Sequence, residues 1–83
     1  MAVAPAPLSA KGEALAARLK DWRAAEAKRL GLPAYMVLND RTLAALALAR
    51  PANPRQLLEV GGMGPAKVER FGKEILELCG AVE

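Results

Sequence analysis

The sequence predicts an all-α protein, a compact bundle of about five helices joined by short loops. Three observations point to this fold class. Apolar residues recur at helical spacing, as at Leu15, Leu19 and Trp22, and no segment alternates apolar and polar residues as a half-buried strand does. The longer candidate helices begin after a capping residue or at a proline and end at glycine or proline. The length of 83 residues allows a single small domain.

The first and longest helix is predicted from Ser9 to Leu30. Ser9 can cap its start, and Gly31 suits the position just past its end. We expect Trp22 to pack in the core. Glu26 interrupts the apolar stripe of this helix, and we expect its carboxylate to reach past the core into water.

A single helical turn is predicted for residues 33–38, which are too few for a standard helix. We expect Met36, Val37 and Leu38 to anchor this segment in the core. Tyr35 has two interpretations from the residues alone. It is either a partly exposed ring or a core tyrosine whose hydroxyl has a hydrogen-bond partner.

Two helices follow this turn. The third helix is predicted over residues 40–49, after a cap at Asn39 or Asp40. It is apolar nearly all round, which is typical of a helix in the middle of a bundle. A fourth, short helix is predicted to start with a cap at Asn53 and with Pro54 at its first position.

A glycine hairpin follows the fourth helix. Gly61 suits the residue just past a helix end, where φ is positive, and Pro65 suits the first turn of the next helix. Gly62 and Gly64 remove side chains from the tightest part of this Gly-x-Gly turn. Bare N–H groups at a helix N-terminus can bind an anion, and Lys67 lies within the first turn. From the turn alone, a plain sharp turn and a phosphate contact both stay open.

The fifth helix is predicted from about Pro65 to Cys79, with Gly80 ending it. The folded domain is therefore expected over residues 8–80. Residues 1–7 contain small residues and two prolines, so we interpret them as a disordered leader or the end of a linker. Residues 81–83 form a short tail.

Charge and cysteine content constrain the class of protein. The net charge of +3 lies entirely in residues 1–41, because residues 42–83 carry equal numbers of basic and acidic side chains. A mildly basic half favours contact with polyanions, although many proteins of this charge bind none. The lone cysteine, Cys79, excludes an internal disulfide and favours a reducing setting. No apolar run is long enough to span a bilayer.

The sequence predicts no catalytic or metal site in this segment. The chain has no histidine and a single cysteine, which argues against a zinc site. Gly72 and Lys73 are followed by Glu74 instead of the Ser or Thr of a phosphate-binding loop. Ser9 has no base to activate it as a nucleophile. We therefore expect no enzyme activity from this segment alone.

In their order along the chain, these pieces resemble the HRDC domain, the helicase and RNase D C-terminal module. The resemblance covers about residues 8–78. Individually the pieces are common, but in this order they are specific. They are Leu15, Leu19 and Trp22, the Pro-x-Tyr turn at Pro33 to Tyr35, the helix start Asn39-Asp40-Arg41-Thr42-Leu43, the stop Arg50-Pro51, and the helix start Gly62-Met63-Gly64.

The resemblance implies a function as well as a fold. It is strongest to the C-terminal HRDC domain of a bacterial RecQ DNA helicase, an enzyme of DNA repair and recombination. Such a domain is an accessory module that binds single-stranded or branched DNA weakly and modulates the substrate choice of the motor. The resemblance implies ATP and Mg for the parent helicase only, and no cofactor in this domain. It also implies a cytoplasmic, nucleoid-associated protein without membrane contact, whose isolated domain is a monomer.

Candidate nucleic-acid-binding residues come from the resemblance and from physical chemistry. The resemblance implies contacts by Tyr35, Asn39 and Lys67. An exposed tyrosine ring can stack on an unpaired base, and cations near helix starts can hold phosphates. Arg18 and Arg29 lie on one line of the first helix and could extend the path. The complete predicted set is Tyr35, Asn39, Arg41, Gly62, Gly64, Lys67, Arg18 and Arg29.

Two alternative functions are compatible with the same sequence. The acidic residues of the second half, mostly on the fourth and fifth helices, repel phosphate and suit a protein-interaction module. Such a module would dock on the helicase body or on a repair partner. The same fold could also bind RNA at the end of an RNase D-type nuclease, because nothing in these residues separates DNA from RNA.

Overall fold

The computed structural model describes residues 8–81, and these residues form five helices and no strand. The predicted all-α bundle of five helices is confirmed. The predicted leader at residues 1–7 and residues 82–83 of the predicted tail lie outside the described residues. The helices are α1 (Ala10–Leu30), α2 (Ala34–Val37), α3 (Asp40–Ala49), α4 (Pro54–Leu58) and α5 (Pro65–Ala81).

The helix starts are set by local side chains. Three helices begin at an N-cap whose side-chain oxygen accepts a backbone N–H three residues on: Ser9 for α1 (3.1 Å), Asn39 for α3 (2.7 Å) and Asn53 for α4 (2.9 Å). Each cap stabilises its helix by about 1 kcal/mol. The predicted end of α5 is wrong, because the helix continues through Gly80 to Ala81. Gly80 has no positive φ, so it weakens the helix without ending it.

Helix α1 is central, and α2, α3 and α5 all pack against it, while α4 packs on α5. Helix α3 runs antiparallel to α1. A Cβ placed on Gly12, near the start of α1, would lie 2.9 Å from the carbonyl oxygen of Ala47, near the end of α3. Arg23, farther along α1, donates from Nη1 to Oδ1 of Asp40 at the start of α3, over 2.8 Å.

Helix α5 also runs antiparallel to α1. Trp22 donates from Nε1 to Oε2 of Glu74 over 3.0 Å, and its ring meets Phe71 edge to face with centroids 5.4 Å apart. One turn farther along α1, Glu26 lies within electrostatic reach of Arg70. By this register, the C-terminus of α1 lies level with the N-terminus of α5.

The core contains apolar side chains from all five helices, but two residues expected inside lie outside. Met36 is 51% exposed and Leu48 is 58% exposed. Helix α3 buries one face only, because it packs mainly against α1 and does not occupy the middle of the bundle. The core residues are Leu15, Leu19, Ala27, Val37, Leu38, Leu43, Leu46, Leu57, Val60, Met63, Phe71, Ile75 and Cys79. Trp22 is partly buried and packs against this core, as predicted.

Candidate nucleic-acid interface

Tyr35 stands on α2 with its side chain 67% exposed. Val37 and Leu38 are fully buried behind it. A helix turns by about 100° per residue, so a ring two positions before the inward-facing Val37 faces away from the core. Of the two interpretations that the sequence allows for Tyr35, the exposed ring is the observed one.

The junction between α2 and α3 is held in place from α1. Arg23 Nη1 donates to the carbonyl oxygen of Leu38 over 2.9 Å and also to the carboxylate of Asp40. Asn39 uses its side-chain oxygen to cap α3, and its amide NH₂ group makes no hydrogen bond with another described residue. Arg41, in the first turn of α3, is exposed and forms no ion pair within residues 8–81. A donor and a cation therefore face solvent beside the tyrosine.

The glycine hairpin packs against this same helix start. Gly62 carries the positive φ of the turn, at 90°. The prediction for Gly61 is wrong, because α4 ends at Leu58 and Glu59 continues with right-handed backbone angles, so the turn closes later. A Cβ on Gly62 would overlap the Thr42 hydroxyl. This close approach joins the hairpin to the first turn of α3.

Helix α5 begins directly after the hairpin. Its first intrahelical bond runs from the N–H of Val68 to the carbonyl of Gly64, over 3.0 Å, so the N–H groups of Ala66 and Lys67 precede the helical ladder. Gly64 is exposed, and open space surrounds the position of a Cβ on it. Lys67 is half-buried and has no ion pair with a described residue.

Arg29 and Glu26 form a pair that corrects the expectation for Glu26. The Glu26 side chain is buried, not directed into water, because its carboxylate accepts from Arg29 Nε and Nη2 over 2.9 and 2.7 Å. These hydrogen bonds lower the pKa of Glu26, and Arg70 adds to the effect. The same hydrogen bonds raise the pKa of Arg29. Arg29 thus lies in the last turn of α1, and the carboxylate of Glu26 balances its charge.

Arg18 lies elsewhere on the molecule. It is exposed, but it precedes Arg29 by three turns, or about 16 Å along α1. By the antiparallel register, that distance takes it away from Lys67 toward the other end of α5. The predicted path from Arg29 to Arg18 therefore leaves the region that contains the tyrosine and the hairpin.

One cation at this end is missing from the predicted set. Lys28, in the last turn of α1, is exposed and has no ion pair within the described residues. The sequence shows two basic residues, Lys28 and Arg29, near the end of α1. Only the structure shows that Arg29 pairs with Glu26, whereas Lys28 has no ion pair with a described residue. We call this region the polar end, and it comprises Lys28, Tyr35, Asn39, Arg41, Gly62, Gly64 and Lys67.

A second surface lies at the C-terminus of α3. An open, largely apolar groove of about 490 Å³ runs between α3 and α4, and the exposed Leu48 lines it. Glu59 is the charged residue of its lining and has no ion pair with a described residue. We call this surface the α3–α4 groove.

Residues 8–81 also lack the features of a metal site and of a membrane-spanning helix. No three or more acidic or cysteine side chains in this range lie close enough together to hold a metal ion. Among the same residues, no helix has the length and apolar character needed to cross a membrane.

Comparisons with known proteins agree with the resemblance. The chain is 39% identical over 66 residues to the ATP-dependent DNA helicase UvrD2 of Mycobacterium tuberculosis, a match that spans 80% of this chain and 9% of that protein. It is 38% identical over 64 residues to the ATP-dependent DNA helicase RecQ of Haemophilus influenzae, spanning 77% of this chain and 10% of that protein. The chain therefore corresponds to about a tenth of these relatives.

A solved structure and a family model agree with these relatives. The structure of D. radiodurans RecQ HRDC domain 3 superposes with a TM-score of 0.82 at 32% identity, covering 86% of this chain and 93% of that one. The family model for the HRDC domain matches residues 12–79. The match includes both the tyrosine turn and the glycine hairpin, and the chain belongs to the HRDC domain family.

Proposed function

We propose that this HRDC domain is the accessory nucleic-acid-binding domain of a DNA helicase, and that it binds single-stranded or branched DNA weakly. One observation carries the proposal. Tyr35 is exposed on α2, directly before the first turn of α3, and the glycine hairpin that leads into α5 packs on that same turn through Gly62 and Thr42.

The chemistry of this end matches that of a single strand. A tyrosine ring can stack on an unpaired base, which contributes about 1–3 kcal/mol. Helix N-termini bind phosphate through free N–H groups, and Arg41 and Lys67 add positive charge that no described acidic residue pairs with. Because only a few cations are available to contact phosphate, binding should be weak and salt-sensitive.

The parent protein is part of the proposal. Similarity to RecQ supports a RecQ-type helicase, in which the domain modulates the substrate choice of the motor. Similarity to UvrD2 supports a UvrD2-type helicase as the alternative parent. In both cases ATP and Mg act at the motor. The sequence that precedes the domain in its full chain would distinguish these parents from an RNase D-type nuclease.

The salt dependence of binding tests the proposal. Lys67→Ala should weaken binding of single-stranded DNA and reduce the slope of log K against log salt by about 1, because one phosphate contact is lost. Lys73→Ala is the matched control. This lysine lies on the same helix, is exposed and also lacks an ion pair with a described residue. Fluorescence anisotropy with a labelled oligonucleotide, from low to moderate salt, measures both slopes.

Two results would contradict the assignment. If Lys67→Ala left the slope unchanged, Lys67 would make no phosphate contact and the polar end would not be the binding surface. If the domain bound no DNA at low salt, the proposed DNA binding would be excluded. An RNA strand of the same sequence, titrated in parallel, separates a DNA-binding domain from an RNA-binding one.

A protein-docking role is the second candidate, and the α3–α4 groove favours it. Leu48, which is 58% exposed, lines this groove, and Glu59 lines it too without an ion pair to a described residue. This role predicts that Leu48→Gln alters the activity of the full-length parent without changing DNA binding by the isolated domain.

A further inference from the structure

Two of the large apolar side chains exposed on the described residues are neighbours. Tyr35 and Met36 follow one another on α2, whereas the other two, Leu48 and Leu58, are separated in sequence. Single exposed apolar residues are common on protein surfaces. Tyr35 and Met36 differ from the other two because they are adjacent on the four-residue helix α2.

The backbone that carries this pair is held by contacts with the core and with α1. Val37 and Leu38, the next two residues, are fully buried. The carbonyl of Leu38 accepts a hydrogen bond from Arg23 over 2.9 Å, and Asp40 pairs with the same nitrogen. The backbone beneath the pair is therefore held from α1, which fixes the directions in which the two side chains leave the helix. Tyr35 faces directly away from the core, and Met36 lies about 100° around the turn.

Free positive charge flanks the pair on both sides along the chain. Lys28 precedes α2 and Arg41 follows it, and both are exposed without an ion pair among residues 8–81. An exposed apolar pair in a stretch of chain that also carries exposed cations complements a ligand that has both an apolar face and negative charges. A nucleic acid offers this combination where a base pair is left uncovered.

We propose that Tyr35 and Met36 form a wedge that binds the junction between single- and double-stranded DNA. Tyr35 stacks on the first unpaired base, and Met36 packs on the exposed face of the last base pair. A flexible thioether cannot replace a planar stacking partner, but methionine is among the side chains used as apolar wedges against base steps. Only a junction presents an unpaired base and an uncovered base pair together.

The inference rests on the proposed function, and the test separates the two. The probes are an oligo-dT strand and a duplex that carries one oligo-dT arm of the same length. Met36→Gln should lower affinity for the junction about fivefold, as expected from the loss of one apolar contact, and leave affinity for the single strand unchanged. Leu48→Gln, which removes an equally exposed apolar side chain from the α3–α4 groove, should change neither.

A second readout reports on the base pair itself. With 2-aminopurine in the last base pair of the duplex, the wild-type domain should change its fluorescence, and Met36→Gln should reduce that change. Because Met36 is exposed, the variant should keep the thermal unfolding temperature of the wild type.

The outcomes are distinct. If Tyr35→Ala weakens binding of both probes and Met36→Gln leaves the ratio of junction to single-strand affinity unchanged, the wedge is excluded while the proposed function stands. An equal loss on both probes for Met36→Gln excludes the wedge in the same way. If the wild-type domain binds neither probe, the proposed function fails, and the wedge fails with it.

Discussion

The two ends of α3 differ in chemistry although they are only about 15 Å apart. At the N-terminus, Asn39 caps the helix, Gly62 packs against Thr42, and the exposed Arg41 has no ion pair with a described residue. At the C-terminus, Arg50 ends the helix with a φ of 46° and an apolar groove opens toward α4. One end is built from hydrogen bonds and charge, and the other from exposed apolar surface.

The two ends of α3 differ in the charge of the ligand that they favour. The N-terminus of a helix favours an anion and the C-terminus disfavours it, and Glu59 adds negative charge to the lining of the groove. Phosphate should therefore avoid the α3–α4 groove and prefer the polar end. The two proposed roles, nucleic-acid binding and protein docking, involve different residues, so we expect that each can be removed without the other.

The largest effect is expected from Gly62→Ala, which would break the contact between the hairpin and α3. A Cβ at this position meets the Thr42 hydroxyl, and the φ of 90° is strained for alanine. We expect the free energy of unfolding to fall by about 2–4 kcal/mol. Urea denaturation followed by circular dichroism measures this change.

Gly61→Ala is the matched control for that prediction. Gly61 has no positive φ, and a Cβ on it would meet nothing within 4 Å, so the variant should lie within about 0.5 kcal/mol of the wild type. Equal losses in the two variants would mean that the hairpin is not locked against Thr42 in solution.

A smaller effect on stability is expected from Glu26→Gln, which removes the carboxylate that pairs with Arg29. Hydrogen bonds from Arg29 lower the pKa of Glu26 in the folded protein. A carboxyl whose pKa falls on folding stabilises the protein above its ordinary pKa, and this contribution disappears as the pH drops through the lowered value. The wild type should therefore lose more stability than Glu26→Gln on acidification through that range. Urea unfolding at a series of acidic pH values gives the comparison.

The same variant also changes binding. Removing the carboxylate leaves the positive charge of Arg29 unbalanced, so affinity for single-stranded DNA should rise slightly at low salt. Identical pH profiles for the two proteins, with no gain in affinity, would show that the pair between Glu26 and Arg29 does not persist in solution.

The sequence predicts local features of this fold well. The caps at Ser9, Asn39 and Asn53 act within three residues, so their chemistry can be read without knowing the rest of the molecule. The resemblance to the HRDC domain also rests on the order of these local signals along the chain. Gly61 is an instructive error, because both glycines could take a positive φ and only the packing of Thr42 selects Gly62.

Exposure at the candidate site was harder to predict. Met36 and Leu48 are apolar residues in apolar segments, and only the position of α1 decides which face of α2 and α3 it covers. The sequence likewise shows that Lys28 and Arg29 are adjacent. It does not show that Arg29, and not Lys28, donates hydrogen bonds to Glu26. These outcomes depend on contacts between helices, which no local pattern contains.

We propose that DNA binds at the polar end and not at the α3–α4 groove. A titration of the ¹⁵N-labelled domain with oligo-dT at low salt, followed by amide chemical shifts, distinguishes these two surfaces. The largest changes should fall on residues 35–42 and 62–67, with little change at residues 48 and 59. Changes concentrated around the groove, with residues 35–42 and 62–67 unaffected, would contradict it.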